Sequence, residues 1–318
     1  MKNGYKKMIC FSVCGLALFG AARLYYRLTD DFRLGNITYP MSYRSEWEFA
    51  FGEGEKSQLD RILSQKFTYI GKGAQSYAFV SEDDKYVLKF FKFKHLVPHW
   101  FVEMFPPFPP FSTYRKSQAL RKQRKLNGVF DGYSLAYKLH KEPSGLIYAH
   151  LNCTEDLHQK VTVIDKLGFE RMIDLDEVPF LIQDKAKTTR SVLQEALKRG
   201  DRELAIKRMN QIFELYLSEY SKGIYDKDHG VLHNTGFVGE TPIHLDVGKL
   251  TQAEQMKTAK FWQEDLETIA WKFALFYKNH YPNDYQSLSR SIELKLTELF
   301  GRPFDFNKST PPVKKRRR

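Results

Sequence analysis

The sequence predicts an α+β chain in two parts, a small antiparallel sheet lobe followed by a mainly helical lobe, with a hydrophobic helix ahead of both. Three observations predict it. Residues 67–91 hold three short runs rich in aromatic and β-branched residues, separated by Gly71-Lys72-Gly73 and by Glu82-Asp83-Asp84-Lys85. Beyond Asp184 the apolar residues recur at three and four, the period of helices with one buried face. Near the start, residues 8–22 are all apolar or small.

Composition sets the limits. The chain has 318 residues, 42% hydrophobic and 28% charged, the balance of a folded body, which excludes wholesale disorder and collagen-like repeats. Three cysteines cannot build a disulfide framework; two of them, Cys10 and Cys14, lie in the apolar stretch, and Cys153 reads as a small buried hydrophobe. The net charge of +12 gathers at the ends, on Lys2, Lys6 and Lys7 and on Lys314, Lys315, Arg316, Arg317 and Arg318. The body between is only modestly positive and carries no recognition motif, which argues against nucleic acid as a partner. The basic tail reads as a solvated end, a contact for anionic lipid or an address signal.

At the N-terminus three lysines precede the apolar stretch and Arg23 follows it. The expectation is a signal-anchor helix, which makes the protein membrane-associated with a transmembrane helix and its N-terminus on the cytoplasmic side. Two alternatives stay open: a signal peptide cleaved after the small residues Gly20 and Ala22, leaving a secreted protein, and a buried helix. Fifteen helical residues rise about 22 Å, short of a hydrocarbon core of roughly 30 Å. The anchor reading therefore needs Leu24, Tyr25, Tyr26 and Leu28 as an extension, with Arg23 snorkelling.

The remaining elements follow in order. Residues 29–58 show no sustained period and read as a spacer ending in a short helix. Strands are expected at 67–70, 77–80 and 86–91. Residues 97–111 carry Pro98, Pro106, Pro107, Pro109 and Pro110 among Trp100, Phe101, Met104, Phe105, Phe108 and Phe111. So many prolines forbid a regular helix or central strand, so this is either a loop packed over the domain or an exposed apolar loop that meets an anionic membrane surface or a protein partner. A helix over 112–127 follows, with Arg115, Lys116, Arg121, Lys122, Arg124 and Lys125 in eleven residues, then Gly128, which weakens it, and a continuation over 130–139. Strands are expected at 146–151, 161–165 and 178–183. Ser191 with Gln194, and Thr251 with Glu254, have capping-box spacing; helices are expected over 202–222, around Trp262 to Phe276 and over 288–300. The resulting division is 1–28, spacer 29–58, sheet lobe 59–184 with its insertion 97–111 and basic helix 112–127, helical lobe 185–301 and basic tail 302–318.

Residues 225–250 break the helical pattern. Val231-Leu232 and Ile243 to Leu245 read as a short strand pair, followed closely by Asn234 and Asp246, with Asp228 just upstream. Hard oxygen donors held near one another suit Mg²⁺, which binds few protein groups and completes its shell with water and phosphate. The histidines nearby, His229, His233 and His244, lack a cysteine partner and do not read as a zinc site, and His95 and His99 read as ordinary polar residues.

With these residues in place the chain resembles the protein-kinase-like superfamily, which includes the aminoglycoside- and choline-kinase-type phosphotransferases and atypical protein kinases. Gly71-x-Gly73-x-x-Ser76 resembles its glycine-rich loop, Val87-Leu88-Lys89 its strand lysine, Asp228 and Asn234 its catalytic loop, and Asp246-Val247-Gly248 its metal-binding turn. The resemblance implies a bilobal kinase-like fold, ATP and Mg²⁺ as cofactors, and a hydroxyl-bearing small molecule or protein as acceptor. It implies Gly71, Gly73, Ser76 and Lys89 on the nucleotide, Asn234 and Asp246 on metal, Asp228 as base and Asp131 as the acid paired with Lys89. Departures are present. Ser76 replaces the third glycine, and the fifth residue before Asn234 is His229, with Asp228 one further back and Asp226 a fallback base. No Ala-Pro-Glu sequence closes an activation segment. Two functions follow: an ATP-dependent phosphotransferase, or a catalytically inactive kinase-like, membrane-associated binding or scaffold module.

Overall fold

The computed structural model describes residues 2–98, 100–155 and 157–309, without the side chains of 2–10 and 100. His99 and the run Lys314 to Arg318 lie outside the described residues. The chain forms two compact units. The first comprises Met1–Leu126 and Tyr148–Gln183, the second Asn127–Ile147 and Asp184–Arg318. A sheet unit precedes a helical one, the order that the sequence predicts.

The sheet unit begins with α1 (Lys2–Leu28), α2 (Leu34–Ile37) and α3 (Glu55–Leu63). Then come β1 (Phe67–Lys72), β2 (Ser76–Ser81) and β3 (Tyr86–Phe91), an antiparallel meander with its neighbours in register. Next are α4 (Phe93–Leu96), α5 (Trp100–Glu103) and α6 (Phe111–Leu139), whose residues from Asn127 on belong to the helical unit, and α7 (Lys141–Ser144) of the helical unit. The sheet is completed by β4 (Leu146–His150), β5 (Lys160–Ile164), β6 (Glu170–Asp174) and β7 (Phe180–Asp184), in the order β4-β7-β3-β2-β1-β5-β6. Phe67, Phe79, Phe90 and Phe180 are fully buried on it. The stretch expected as a spacer contributes to this core: Phe32, Ile37 and Trp47 are buried, and Phe32 meets Tyr77 and Phe79 edge-on at 5.2 and 4.9 Å. Asp30 is tied to the sheet by Lys72, Lys166 and Tyr69; burial opposes its charge, but these partners hold its carboxyl down to about 2.

The expectation of a transmembrane anchor, and of membrane association through it, is overturned. Among the described residues no helix is long and apolar enough to cross a membrane. The aromatics needed to lengthen the apolar stretch are engaged elsewhere: Tyr25 accepts a hydrogen bond from Arg171 at 2.6 Å, and the Arg33 guanidinium lies 3.9 Å over the Tyr26 ring.

The helical unit continues with β8 (Lys187–Thr188), α8 (Thr189–Lys198), α9 (Arg202–Ser221), β9 (Ile224–Asp226), α10 (Val231–Asn234), β10 (Thr235–Val238), β11 (Thr241–His244), β12 (Leu250–Gln252), α11 (Ala259–His280) and α12 (Tyr285–Phe300). The helix α9 carries Ala205, Met209, Ile212, Phe213, Tyr216 and Tyr220 on one buried stripe, and Phe213 packs edge-on against Phe273 of α11 at 5.6 Å. The cap of α8 is Thr188, whose side chain accepts from Ser191 N–H, rather than Ser191 itself. Thr251 lies in β12, and α11 starts only at Ala259. The expected strand at Val231-Leu232 is the helical turn α10; the hairpin partner of β11 is β10, three residues on. Gly128 does not interrupt α6, which runs unbroken to Leu139.

Two glycines of α6 differ in what surrounds them. A Cβ on Gly132 would stand 2.8 Å from Gly248 C and Val247 O, whereas one on Gly128 would meet nothing within 4 Å. We expect Gly132→Ala to lower stability by about 1–3 kcal/mol through this clash and Gly128→Ala to raise it by up to about 1 kcal/mol through helix propensity, both read by chemical denaturation.

Candidate functional site

In the sheet unit the glycine turn joins β1 to β2. Gly71 sits at a shift of register in their pairing, and Gly73 N–H closes the turn on Ser76 O at 2.9 Å. Lys89 lies on β3, opposite Ala78 of β2, and its Nζ donates to Gln183 Oε1 on β7 at 2.5 Å. A second lysine was not singled out by the sequence. Lys92, buried at the end of β3, donates from Nζ to Gly73 O at 2.6 Å and lies 4.4 Å over the Tyr77 ring. Burial brings its ammonium down to about 8. It pins the glycine turn to β3.

Asp228, Asn234 and Asp246 all lie in the helical unit. Two pairings position them. The antiparallel pairing of β9 with β12 places Asp226 opposite Leu250, so Asp228 comes beside Lys249 and forms an ion pair with it. The β10–β11 hairpin brings Asn234 O to accept from Leu245 N–H at 2.6 Å and Asp246 N–H at 3.2 Å. Asn234 and Asp246 are thereby joined through their backbones. Tyr133 Oη on α6 donates to Asp246 Oδ1 at 3.4 Å; burial first, then the Asp246 charge, push that phenol well above its ordinary range. Asp131 occupies an exposed position on α6 in the helical unit, whereas Lys89 belongs to the sheet unit.

The loop between β9 and α10 is held from below. Asp226 is buried, and its two carboxylate oxygens accept Asp228 N–H at 2.8 Å and His229 N–H at 3.2 Å. Both oxygens are thus engaged by backbone, while Asp228 is partly open. His229 adopts φ +50°, an uncommon conformation for a residue with a Cβ, and its Nε2 lies 2.5 Å from Asp265 Oδ1 on α11. Asp265 Oδ2 also accepts from Tyr220 Oη at 2.6 Å. Burial opposes charge on His229, but Asp265 and then Asp226 raise its imidazole above the usual value. A carboxylate at position 265 among Trp262, Leu266 and Ile269 was a legible sign that an apolar helix face hid a polar task.

Behind the loop lies a fully buried network. Glu219 Oε1 on α9 meets His140 Nε2 at 3.1 Å and His244 Nδ1 at 2.7 Å. Lys222 Nζ approaches His140 Nδ1 at 3.3 Å, which leaves Nε2 to donate to Glu219. His244 Nε2 stands 3.6 Å from Asp226 Oδ2, a charge contact beyond hydrogen-bond length. Burial would lift the Glu219 carboxyl, but the charge on His244 and the two imidazole bonds bring it to about 2. Burial disfavours charge on His244 as well, yet Glu219 and Asp226 raise it to about 9. Asp226 itself is raised, chiefly by burial.

For Mg²⁺ the donors present are the Asp246 carboxylate and the Asn234 amide. The Asn234 Nδ2 atom is buried without a hydrogen-bond partner, so the amide is not committed elsewhere through that atom, and Gly230 leaves room for it: a Cβ there would stand 2.6 Å from Nδ2. Among the described residues no three His, Cys, Asp or Glu side chains converge on a metal position. One carboxylate and one amide fit an ion whose other ligands are water and phosphate oxygens.

Comparison with known proteins finds no matching family model and no match among curated proteins. Solved structures that resemble the chain include a crystal structure of WbdD (12% identity, TM-score 0.39, covering 77% of this chain and 48% of that one). A structure of the bifunctional kinase-methyltransferase WbdD (12%, 0.35, 75% and 45%) and a complex of WbdD with the kinase inhibitor LY294002 (14%, 0.32, 76% and 47%) also resemble it. The chain spans about half the length of the solved chains it matches. A likeness this distant identifies neither reaction nor substrate.

The buried network makes stability depend on pH. Glu219 has a folded pKa below its ordinary 4.5, so its contribution is complete above about 4.5 and is lost as pH falls toward 2. His244 has a folded pKa above 6.5, so its contribution is complete below 6.5 and is lost as pH rises through about 9. Asp226, raised from 3.8, works against the fold once it ionises. We expect the melting temperature to fall toward both pH limits from a mildly acidic maximum. Glu219→Gln should lower stability by about 3–5 kcal/mol near that maximum and flatten the alkaline fall, measured by melting across pH.

Proposed function

We propose that this chain is an ATP-dependent phosphotransferase that moves the γ-phosphoryl group to a hydroxyl acceptor, on a small molecule or a protein. The observation that supports the reading is the backbone link of Asn234 to Asp246 across the β10–β11 hairpin, with Asp228 ion-paired to Lys249 three residues after Asp246 in the same unit. Asp228 would accept a hydrogen bond from the acceptor hydroxyl and take its proton as the new P–O bond forms, and the departing nucleoside diphosphate would keep the electrons of the broken one. Lys249 forms an ion pair with Asp228 and directs its carboxylate. The loop bonds from Asp226 and Asp265 hold Asp228 in place, a pre-organisation that avoids rearrangement during reaction. In the sheet unit Lys89, directed by Gln183, and the backbone N–H groups of the turn at Gly71, Gly73 and Ser76 would take phosphate oxygens. Asn234 and Asp246 would hold Mg²⁺, which when bound neutralises charge on the phosphates.

The inactive-module reading has its own supporting observation. The residue five before Asn234, His229, has its Nε2 committed to Asp265, and Asp228 is already ion-paired. Nucleotide binding without transfer would favour it.

ATP with Mg²⁺ should raise the melting temperature, by an amount that grows with nucleotide concentration. Asp228→Asn should lower transfer by about 10²- to 10⁴-fold, and Asp246→Asn should abolish both transfer and the Mg²⁺-dependent part of the melting shift while the nucleotide-free melting stays close to wild type. A melting temperature indifferent to ATP and Mg²⁺ rejects the phosphotransferase reading.

A further inference from the structure

The Pro-rich insertion is not a disordered linker. Its rings pack on one another as a single platform. Phe105 stacks on Phe111 at 5.8 Å and meets Tyr114 and Phe101 edge-on at 5.7 and 6.2 Å, and Phe108 meets Phe111 at 6.0 Å. Arg115 Nη1 donates to Phe105 O at 3.1 Å and fastens the platform to the first turns of α6. A platform built this way should bury its outer side, yet Met104 is 71% exposed and Phe108 58%. Folding leaves a rigid apolar surface open to water, which is the mark of a surface with an occupant.

Charge says which occupant. Along α6, Lys116, Leu120 and Arg124 fall at successive intervals of four and share one face, with Arg121 beside them; all four are exposed. Between insertion and helix a cavity of about 460 Å³ is lined by the apolar Pro98, Val102, Pro107 and Ala119, by Ser112, and by Arg115 and Lys116, whose two positive charges outnumber the one negative charge of Glu103. Cations rimming an apolar surface repel a second copy of themselves and complement an amphiphile with an anionic head. We infer that the 101–124 surface is a peripheral docking site for an anionic lipid bilayer, adsorbing to the headgroup layer with its rings at the acyl boundary. The site is separate from α1, spans nothing, and does not depend on the phosphotransferase reading.

The test places an environment-sensitive fluorophore at position 108 through Phe108→Cys, in the full chain carrying Cys10→Ser, Cys14→Ser and Cys153→Ser. Its emission should shift to the blue and brighten with vesicles of phosphatidylcholine and phosphatidylserine, but not with phosphatidylcholine alone, and high salt should reverse the change. The combined Lys116→Glu, Arg121→Glu and Arg124→Glu variant, all exposed helix positions, should melt as the parent does and partition at least about a hundredfold more weakly. Four results would overturn the inference. They are sedimentation with anionic vesicles without a shift at 108, which would credit α1; an equal shift in the charge-reversed variant; a shift on concentrating the protein without lipid, which would indicate a second copy; and the same shift with soluble polyglutamate, which would indicate an acidic protein partner.

Discussion

The constraint on which the helical unit depends is the buried carboxylate of Asp226. A carboxylate removed from water must be matched by donors and by positive charge or it destabilises the fold. The donors are the N–H groups of Asp228 and His229; the nearby charge is His244, itself held by Glu219, which also takes His140. The loop shape follows. With two successive N–H groups turned inward to one carboxylate, His229 is driven to φ +50°, and Asp265 fastens its ring there. Four chain segments, α9, β9, β11 and the residue before α7, share this one electrostatic arrangement and fix the loop to the core beneath it.

The same logic places Asp228 and Asp246 differently from Asp226. Asp228 keeps partial access to solvent and an ion-pair partner, Lys249, while Asp246 lies beside a buried phenol and donates its N–H to Asn234 O. Three aspartates close in the fold of the helical unit thus have three distinct environments: buried and bonded to backbone, ion-paired, and bonded to a buried phenol. In the sheet unit Lys92 plays the structural part, buried and bound to the glycine turn, while Lys89 pairs with a neutral amide. In both units a buried charged group shapes the backbone, and a more accessible one of the same type stands nearby.

The N-terminal segment shows how tertiary contacts redirect apolar residues. Tyr25 and Tyr26 extend an apolar run when read along the chain, but their partners, Arg171 and Arg33, come from elsewhere in the sheet unit and from the turn beyond the helix. Residues 29–58, without any period, still pack Phe32, Ile37 and Trp47 into the core. Irregular backbone carries no periodic signature, so burial there is invisible until the sheet exists to receive it.

By itself the sequence determined the succession of a strand-rich part and a helix-rich part, because period and turn residues act locally: the meander at Phe67 to Phe91 and the apolar stripe of α9 are both readable residue by residue, whereas short strands such as Glu170–Asp174 and Ile224–Asp226 are not. It also marked Asp228, Asn234 and Asp246 as oxygen-bearing residues in a break of helical pattern. Only the tertiary structure decided that Asn234 ends a helical turn, that β10 rather than Val231-Leu232 pairs with β11, and that Lys249 faces Asp228. Those outcomes depend on strand register and on charges buried from several segments at once, and no local pattern encodes an interaction whose strength comes from the removal of water by distant parts of the chain.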